Sequence, residues 1–126
     1  MNPTYELRLL VSRLLSHTGG AAFFRNASAN AEYPYKTFSF DRVDYEDPRL
    51  YDLCIDLYDR GDDSRLDEIA DAIEKELDGL NCPSDGILPT FFLDSRYPVE
   101  EKDKELYHTQ MHLQVHLYDN KEVKNA

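Results

Sequence analysis

Three histidines near the C-terminal end are spaced by four residues and are the first candidates for chemistry: His108, His112 and His116. On a helix this spacing would align the imidazoles for zinc binding. Residues 107–118 instead alternate strictly between apolar and polar types, which predicts a strand. Residues four apart on a strand lie about 13 Å from each other, whereas zinc holds nitrogen ligands at about 2.1 Å. We therefore predict no metal site, and a solvated or subunit-facing surface that gains charge near pH 6.

Three aspartates around Gly61 form a second cluster: Asp59, Asp62 and Asp63. Close carboxylates at a glycine turn suit calcium. The residues do not follow the EF-hand pattern, however, and the helix dipole favours aspartate at the start of any helix. We therefore expect these carboxylates to have a structural role at a turn that precedes a helix.

No pattern typical of covalent catalysis or of phosphate binding occurs in the chain. A Gly-x-Ser-x-Gly motif and a glycine-rich phosphate loop are both absent. Cys54 lies in the middle of a predicted strand and Cys82 precedes Pro83, and neither has neighbours that would activate a thiol. We expect both to be free thiols, and we predict no catalytic residue and no cofactor.

The elements that must position these groups begin with an amphipathic helix. Asn2 and Pro3 suit an N-cap and a first helical position, and apolar residues then recur with helical spacing as far as Leu14. After Gly19 and Gly20, residues 21–24 predict a short strand. A polar loop leads to a strand that begins from Tyr33, with Pro34 at its start.

The C-terminal half predicts a further helix between strands. Alternation over 51–58 indicates a half-buried strand with an acidic side. Ser64 and Asp67 approximate a capping box for a helix that ends before Gly79. Residues 81–89 are interpreted as a loop, 90–93 as a short strand and 97–105 as an exposed connection. The long strand over 107–118 comes last, followed by a polar tail at 119–126 that we expect to be frayed.

Together these elements predict one α+β domain over residues 1–126. Strands with one apolar and one polar side are typical of an antiparallel or mixed β-sheet that is packed against helices on one face. Two helices with apolar stripes are available to cover that face. We see no internal repeat and no linker, so a single domain is expected.

Composition limits the possible partners. Fourteen Lys and Arg residues against 25 Asp and Glu residues give a formal net charge of −11. Such a surface repels phosphate and anionic lipid, so neither sequence-specific nucleic acid binding nor membrane binding is expected. No segment is typical of a secretion leader or of a membrane span, which favours a reducing compartment. Nine Tyr and no Trp provide amphipathic rings that suit interfaces.

The order of these elements resembles the tail terminators, or tail-completion proteins, of long-tailed bacteriophages and prophages. The matching pieces are the apolar patch at 22–24, the Tyr-Pro-Tyr segment at 33–35, the alternating strand at 53–59, the helix core at 69–73 and the closing strand at 111–118. The chain departs from the family at Tyr58, where Trp is frequent, and in a longer C-terminal loop.

The resemblance implies a structural virion protein that is not an enzyme and has no catalytic residue. It would form a hexameric ring that caps the tail tube and joins it to the head-completion or connector proteins, located in the virion tail and in the host cytoplasm during assembly. DNA would pass through the lumen at most. The aspartates Asp59, Asp62 and Asp63, the loop at 100–105 and the three histidines are then candidates for the interface or for the lumen, where negative charge would keep DNA from adhering.

Two other function classes fit the residues. One is an intracellular adaptor or regulatory domain that binds a partner through an exposed sheet edge or the histidine side of the last strand. The other is a small metal-dependent hydrolase that uses the histidines with nearby carboxylates.

Overall fold

Two helices and five strands make up the regular structure of the described residues, which are 2–44, 48–84 and 86–119 of a computed structural model. In chain order these elements are α1 (Pro3–Leu15), β1 (Ala21–Phe24), β2 (Tyr35–Asp44), β3 (Arg49–Arg60), α2 (Ser64–Leu77), β4 (Ile87–Val99) and β5 (Leu106–Asp119). Their order agrees with the order predicted from the sequence.

The strands form one mixed sheet in the order β1-β2-β3-β5-β4. β1 runs parallel to β2, and every other neighbouring pair is antiparallel. The predicted α+β class is therefore confirmed, with β1 and β4 as the outer strands. The two longest patterns of alternation, in β3 and β5, pair with each other at the centre, where Leu53 lies opposite Leu113.

The core lies between this sheet and the two helices. The predicted stripe on α2 is buried, because Leu66, Ile69, Ala70, Ile73 and Leu77 are each at most 7% exposed. It packs with Leu7, Val11 and Leu15 of α1 and with the apolar sides of β3 and β5. Burying a side chain of this size stabilises the fold by about 1.5–3 kcal/mol, so the apolar residues fix which side of each strand faces the helices.

The start of α1 agrees with the prediction, whereas the start of α2 differs from it. The Asn2 side chain accepts hydrogen bonds from the Thr4 and Tyr5 amides, as an N-cap does. The predicted capping box of α2 is wrong, because Asp63 is the N-cap residue and Ser64 is already helical. The Asp62 carboxylate instead accepts from the amide and the hydroxyl of Ser64.

β4 is much longer than predicted. It takes in the last residues of the predicted loop at 81–89, and it continues through 97–99, which the sequence analysis placed in an exposed connection. Pro98 is tolerated because β4 is an outer strand, where one side of the backbone needs no donor. A register shift lies between Leu93 and Ser95 and leaves Asp94 out of the regular pairing. Only 100–105 remains as the connection to β5.

The predicted tail at 119–126 begins one residue too early, since Asp119 is the last residue of β5. The remaining tail residues, 120–126, lie outside the described part of the chain.

A buried lysine joins the α1–β1 turn to β2. Lys36 is fully buried, and its ammonium group donates hydrogen bonds to the carbonyl oxygens of Gly19 and Gly20. Burial lowers the pKa of Lys36 to about 8. These contacts hold the α1–β1 turn against β2, the strand that pairs with β1.

Candidate assembly surface

One face of the sheet carries no helix, and it brings the predicted histidines together with side chains from three other strands. Because side chains alternate along a strand, the residues that point away from the helices form rows across the sheet. We call this surface the helix-free face. Starting at the end where β3 leads into α2, its first rows are Tyr35–Tyr58–His108–Val99, Thr37–Asp56–Gln110–Tyr97, Ser39–Cys54–His112–Ser95 and Asp41–Asp52–Gln114–Phe92.

His108 lies between two carboxylates on this face. Its Nε2 atom is 2.6 Å from Oδ1 of Asp56, and its Nδ1 atom is 2.9 Å from Oε1 of Glu101. Only 8% of the His108 side chain is exposed. Asp56 belongs to β3 and Glu101 to the β4–β5 connection, so the imidazole ties that connection to the centre of the sheet.

The surroundings shift the pKa of both His108 and Asp56. Burial alone would lower the pKa of His108, but the hydrogen bonds to the Asp56 and Glu101 carboxylates outweigh burial and raise it above its ordinary value. Burial alone would raise the pKa of Asp56, but the hydrogen bonds from His108 and Gln110 bring it below its ordinary value. A protonated His108 donates to both carboxylates, which favours its own charged form and that of Asp56.

A row of neighbouring rings, of which the first two pairs are stacked, extends from His108 to Tyr33, just before β2. The centroid distances are 4.4 Å between His108 and Tyr58, 5.2 Å between Tyr58 and Tyr35, and 5.3 Å between Tyr35 and Tyr33. Burial and the charge of Asp56 raise the pKa of Tyr58 to about 12. Such rings are large and rigid, which suits a surface that contacts another protein.

The other two histidines have partners of their own. Nδ1 of His112 is 3.1 Å from Oδ2 of Asp52, and the His112 ring stacks on Tyr97. The His116 ring packs edge-on against Phe92. The strand predicted for these histidines is confirmed, and they lie in separate rows. Within the described residues, no three His, Cys, Asp or Glu side chains come together in a way that could hold a metal ion.

Acidic side chains gather in the middle of the helix-free face. Asp41 lies directly opposite Asp52 in the pairing of β2 with β3, an arrangement that destabilises a sheet by charge repulsion. Asp94 lines the same shallow pocket as Asp52. Among the ion pairs of the described residues, none joins these three aspartates to a lysine or an arginine.

The predicted cluster around Gly61 divides into one buried and two exposed carboxylates. Asp59 is 1% exposed, and its oxygens lie 2.8 and 2.7 Å from Nε and Nη2 of Arg65. It also accepts from the amide of Arg60. Asp59 is therefore inside the subunit and is withdrawn as a lumen candidate, whereas Asp62 and Asp63 are exposed.

The structure brings the two predicted acidic loops together at one end of the sheet. The amide of Gly61 donates to the carbonyl oxygen of Glu105 at 3.0 Å, and Nη2 of Arg60 lies 2.6 Å from Oδ2 of Asp103. We call the exposed carboxylates of this end the acidic rim, which consists of Asp62, Asp63, Glu100, Asp103 and Glu105. Lys102 and Lys104 are exposed on the same loop.

Sequence reasoning missed the exposed aromatic residues on β4 and β5. Phe92 is 43% exposed, Tyr97 40% and Tyr118 41%. Phe92 was hidden in an apolar run, and Tyr97 in a predicted loop. Only Tyr118, on the polar side of the last strand, had a signal that could have revealed it.

The two cysteines do not add a reactive group to this face. Both Cys54 and Cys82 are free thiols, as predicted. Burial, with the charge of Asp56, raises the pKa of Cys54 to about 12. A thiol with so high a pKa holds its proton at neutral pH and is a poor nucleophile.

Comparison with known proteins gives a match at the level of structure. No family model matches the chain, and no curated protein matches it in sequence. In the described part of the chain, no helix combines the length and the apolar character that crossing a bilayer requires. A chain in the solved structure "Virion of native gene transfer agent (GTA) particle" is similar, with a TM-score of 0.64 and 11% identity over 93% of this chain and 91% of that chain. The fold of this chain is thus shared with a chain of a virion particle.

Proposed function

We propose that this protein is a structural component of a phage-type virion and acts as a tail terminator. Copies of the chain would form a ring, which is hexameric in the tail terminators. The ring would cap the tail tube and present a surface to the head-completion or connector proteins. The observation that carries the proposal is the fold shared with a virion chain over nearly the full length of both chains. The order of elements that resembles the tail terminators supports the same function.

The helix-free face supports a role in assembly. It contains no helix to cover it, and it combines stacked rings with exposed aromatic residues at its outer strand. Aromatic side chains are enriched in protein interfaces, since they bury a large area for little loss of side-chain freedom. The face also holds His108 between two carboxylates, which fixes its shape without a second protein.

The acidic rim supports a passage for DNA. Its carboxylates lie on two adjoining turns at one end of the sheet, so a ring of subunits would repeat them around an axis. A lumen with this charge would repel phosphates as DNA passes. In this proposal the chain has no sequence-specific contact with nucleic acid.

The test is tube capping. The purified chain is mixed with assembled phage tail tubes, and the tube ends are imaged by negative-stain electron microscopy. We expect a ring at one end of each tube and an end to further growth. Tubes that keep growing without an added ring would contradict the proposal, and capture of a single host protein instead would favour the adaptor class.

A matched pair of variants makes this test specific. Phe92→Ser with Tyr97→Ser changes two exposed rings of the helix-free face, and we expect capping to weaken at least about tenfold because interface aromatics commonly carry 2 kcal/mol or more. Lys75→Glu changes an exposed residue of α2 and serves as the control that should cap normally. Thermal unfolding of each variant shows whether the fold is retained.

A further inference from the structure

The surface of α1 next to β1 carries two arginines and exposed apolar side chains. The guanidinium carbon of Arg8 is 4.4 Å from the ring centroid of Phe24, and that of Arg25 is 4.9 Å from the same centroid. Tyr5 is 47% exposed and Leu9 41%. We define the α1–β1 patch as Tyr5, Arg8, Leu9 and Arg25.

Neither arginine of this patch has a carboxylate partner among the described residues, in contrast to Arg60, Arg65 and Arg96, which each form ion pairs. Glu6 is the one acidic residue of α1. Two cations on one aromatic ring in a chain with net charge −11 form a local exception to the overall charge.

Arg25 adds a second sign that this patch has a purpose beyond folding. It has φ = +69°, the only positive value among the described residues other than glycine. A bulky residue in the left-handed region is disfavoured by about 1 kcal/mol or more relative to glycine. Strain of this kind is concentrated at functional sites, where a side chain is needed despite it.

The opposite outer strand presents a complementary surface. Asp94 is exposed at the bulge of β4, without an ion pair among the described residues, and exposed aromatic rings lie on either side of it along the strand and on β5. We define the β4–β5 patch as Phe92, Asp94, Tyr97 and Tyr118. The Asp41–Asp52 pair lies behind it on the same face and adds negative charge.

We infer that the α1–β1 patch of one copy binds the β4–β5 patch of a second copy of this chain, head to tail. The two patches lie at opposite edges of the sheet. They differ in face as well, since Phe24, whose ring contacts Arg8 and Arg25, packs against the core on the helix side. Because the patches are at opposite edges, a two-fold contact centred on either one would place that patch against itself, with like charges together, whereas a head-to-tail contact pairs arginine with aspartate. The inference rests on the proposed ring and names the surfaces that close it.

The experiment is a charge exchange measured by sedimentation velocity at about 150 mM salt. Arg25→Glu and Asp94→Lys are prepared as separate proteins, with Arg8→Glu as a second variant of the first patch. We expect the wild type to self-associate below about 1 mM. Each variant alone should self-associate at least about tenfold more weakly, because like charges then meet at every contact.

Mixing the two variants is the decisive measurement. In an equimolar mixture of Arg25→Glu with Asp94→Lys, every head-to-tail contact between unlike chains again joins opposite charges. We expect association to return to within about threefold of the wild type. A variant that had merely misfolded would not be rescued in this way. Lys75→Glu and Glu68→Lys carry the same charge changes at exposed positions of α2 and should associate as the wild type does.

The inference is overturned by a wild type that stays monomeric up to about 1 mM, by single variants that associate normally, or by a mixture without rescue. These outcomes are separable from the proposed function. If the chain caps tubes but the mixture shows no rescue, the terminator proposal stands and the contact between these two patches is wrong. If the mixture shows rescue but the chain does not cap tubes, the contact between copies is established and the terminator proposal is wrong.

Discussion

At the scale of single residues, His108 shows how a position that invites a metal site serves a different purpose. Each of its ring nitrogens already faces a carboxylate, from β3 on one side and from the β4–β5 connection on the other. A histidine used in this way acts as a protonated cross-link. We therefore expect the stability of the single subunit to depend on pH. The sequence analysis had predicted a pH-dependent contact between subunits instead.

The replacement His108→Gln tests this cross-link. The folded pKa of His108 is raised, so its contribution is fully present below the unfolded value of about 6.5 and is lost as pH rises through the folded pKa. We expect the variant to be less stable by about 1–3 kcal/mol at pH 6, and the difference from the wild type to shrink toward pH 9. Urea unfolding at several pH values measures this.

The exposed His17 supplies the control, His17→Gln, which removes one imidazole without touching the cross-link. A difference between His108→Gln and wild type that is constant with pH would contradict the assignment. The Asp56 side of the contact behaves oppositely, because the folded pKa of Asp56 is lowered. Its contribution is present above its unfolded value of about 3.9 and is lost as pH falls through the folded pKa.

At the scale of elements, the α1–β1 turn decides how β1 reaches the sheet. Gly20 has φ = +73°, and a Cβ atom there would lie 2.7 Å from the carbonyl oxygen of Pro34. Gly61 has φ = +93° but no atom within 4 Å of such a Cβ. The two glycines thus share a left-handed backbone and differ in the space around it.

Replacing each glycine by alanine separates these effects. Gly61→Ala should lower the free energy of unfolding by about 1–2 kcal/mol, the contribution of the left-handed backbone alone. Gly20→Ala should lower it by about 3 kcal/mol or more, because the backbone of Pro34 must also move. Chemical denaturation of both variants gives the comparison, and equal losses would show that the turn adjusts freely.

At the scale of the whole molecule, charge is distributed unevenly, with an acidic rim at one end of the sheet and cations at the α1–β1 patch. Asp63→Lys with Glu100→Lys replaces two carboxylates of the rim by cations without removing Asp62, whose carboxylate accepts hydrogen bonds at the start of α2. If the rim lines a DNA passage, attraction to phosphates should slow DNA delivery from assembled particles severalfold. Delivery is measured as transferred DNA per particle.

The control for this measurement is Glu68→Lys with Glu76→Lys, which makes the same change in net charge on exposed positions of α2. Delivery that is equal for the rim variant and the control would remove the rim from the passage while leaving the rest of the proposal untouched.

Apolar periodicity and cap residues are local signals, so the elements and the class of the fold could be predicted from the residues alone. The stripe of α2, the alternation of β3 and β5 and the cap at Asn2 were all readable in this way. Part of β4 was predicted as a loop, because Pro98 and the charges around it are typical of loops. Only the pairing with β5 makes that segment a strand.

Only the tertiary structure decided which polar residues meet. The burial of Asp59 depends on Arg65 six residues later, the partners of His108 come from β3 and the β4–β5 connection, and the acidic rim joins two turns that are about 40 residues apart in sequence. Side-chain contacts of this kind follow from strand order and register, which the burial of the whole core fixes and which no local pattern of residues specifies.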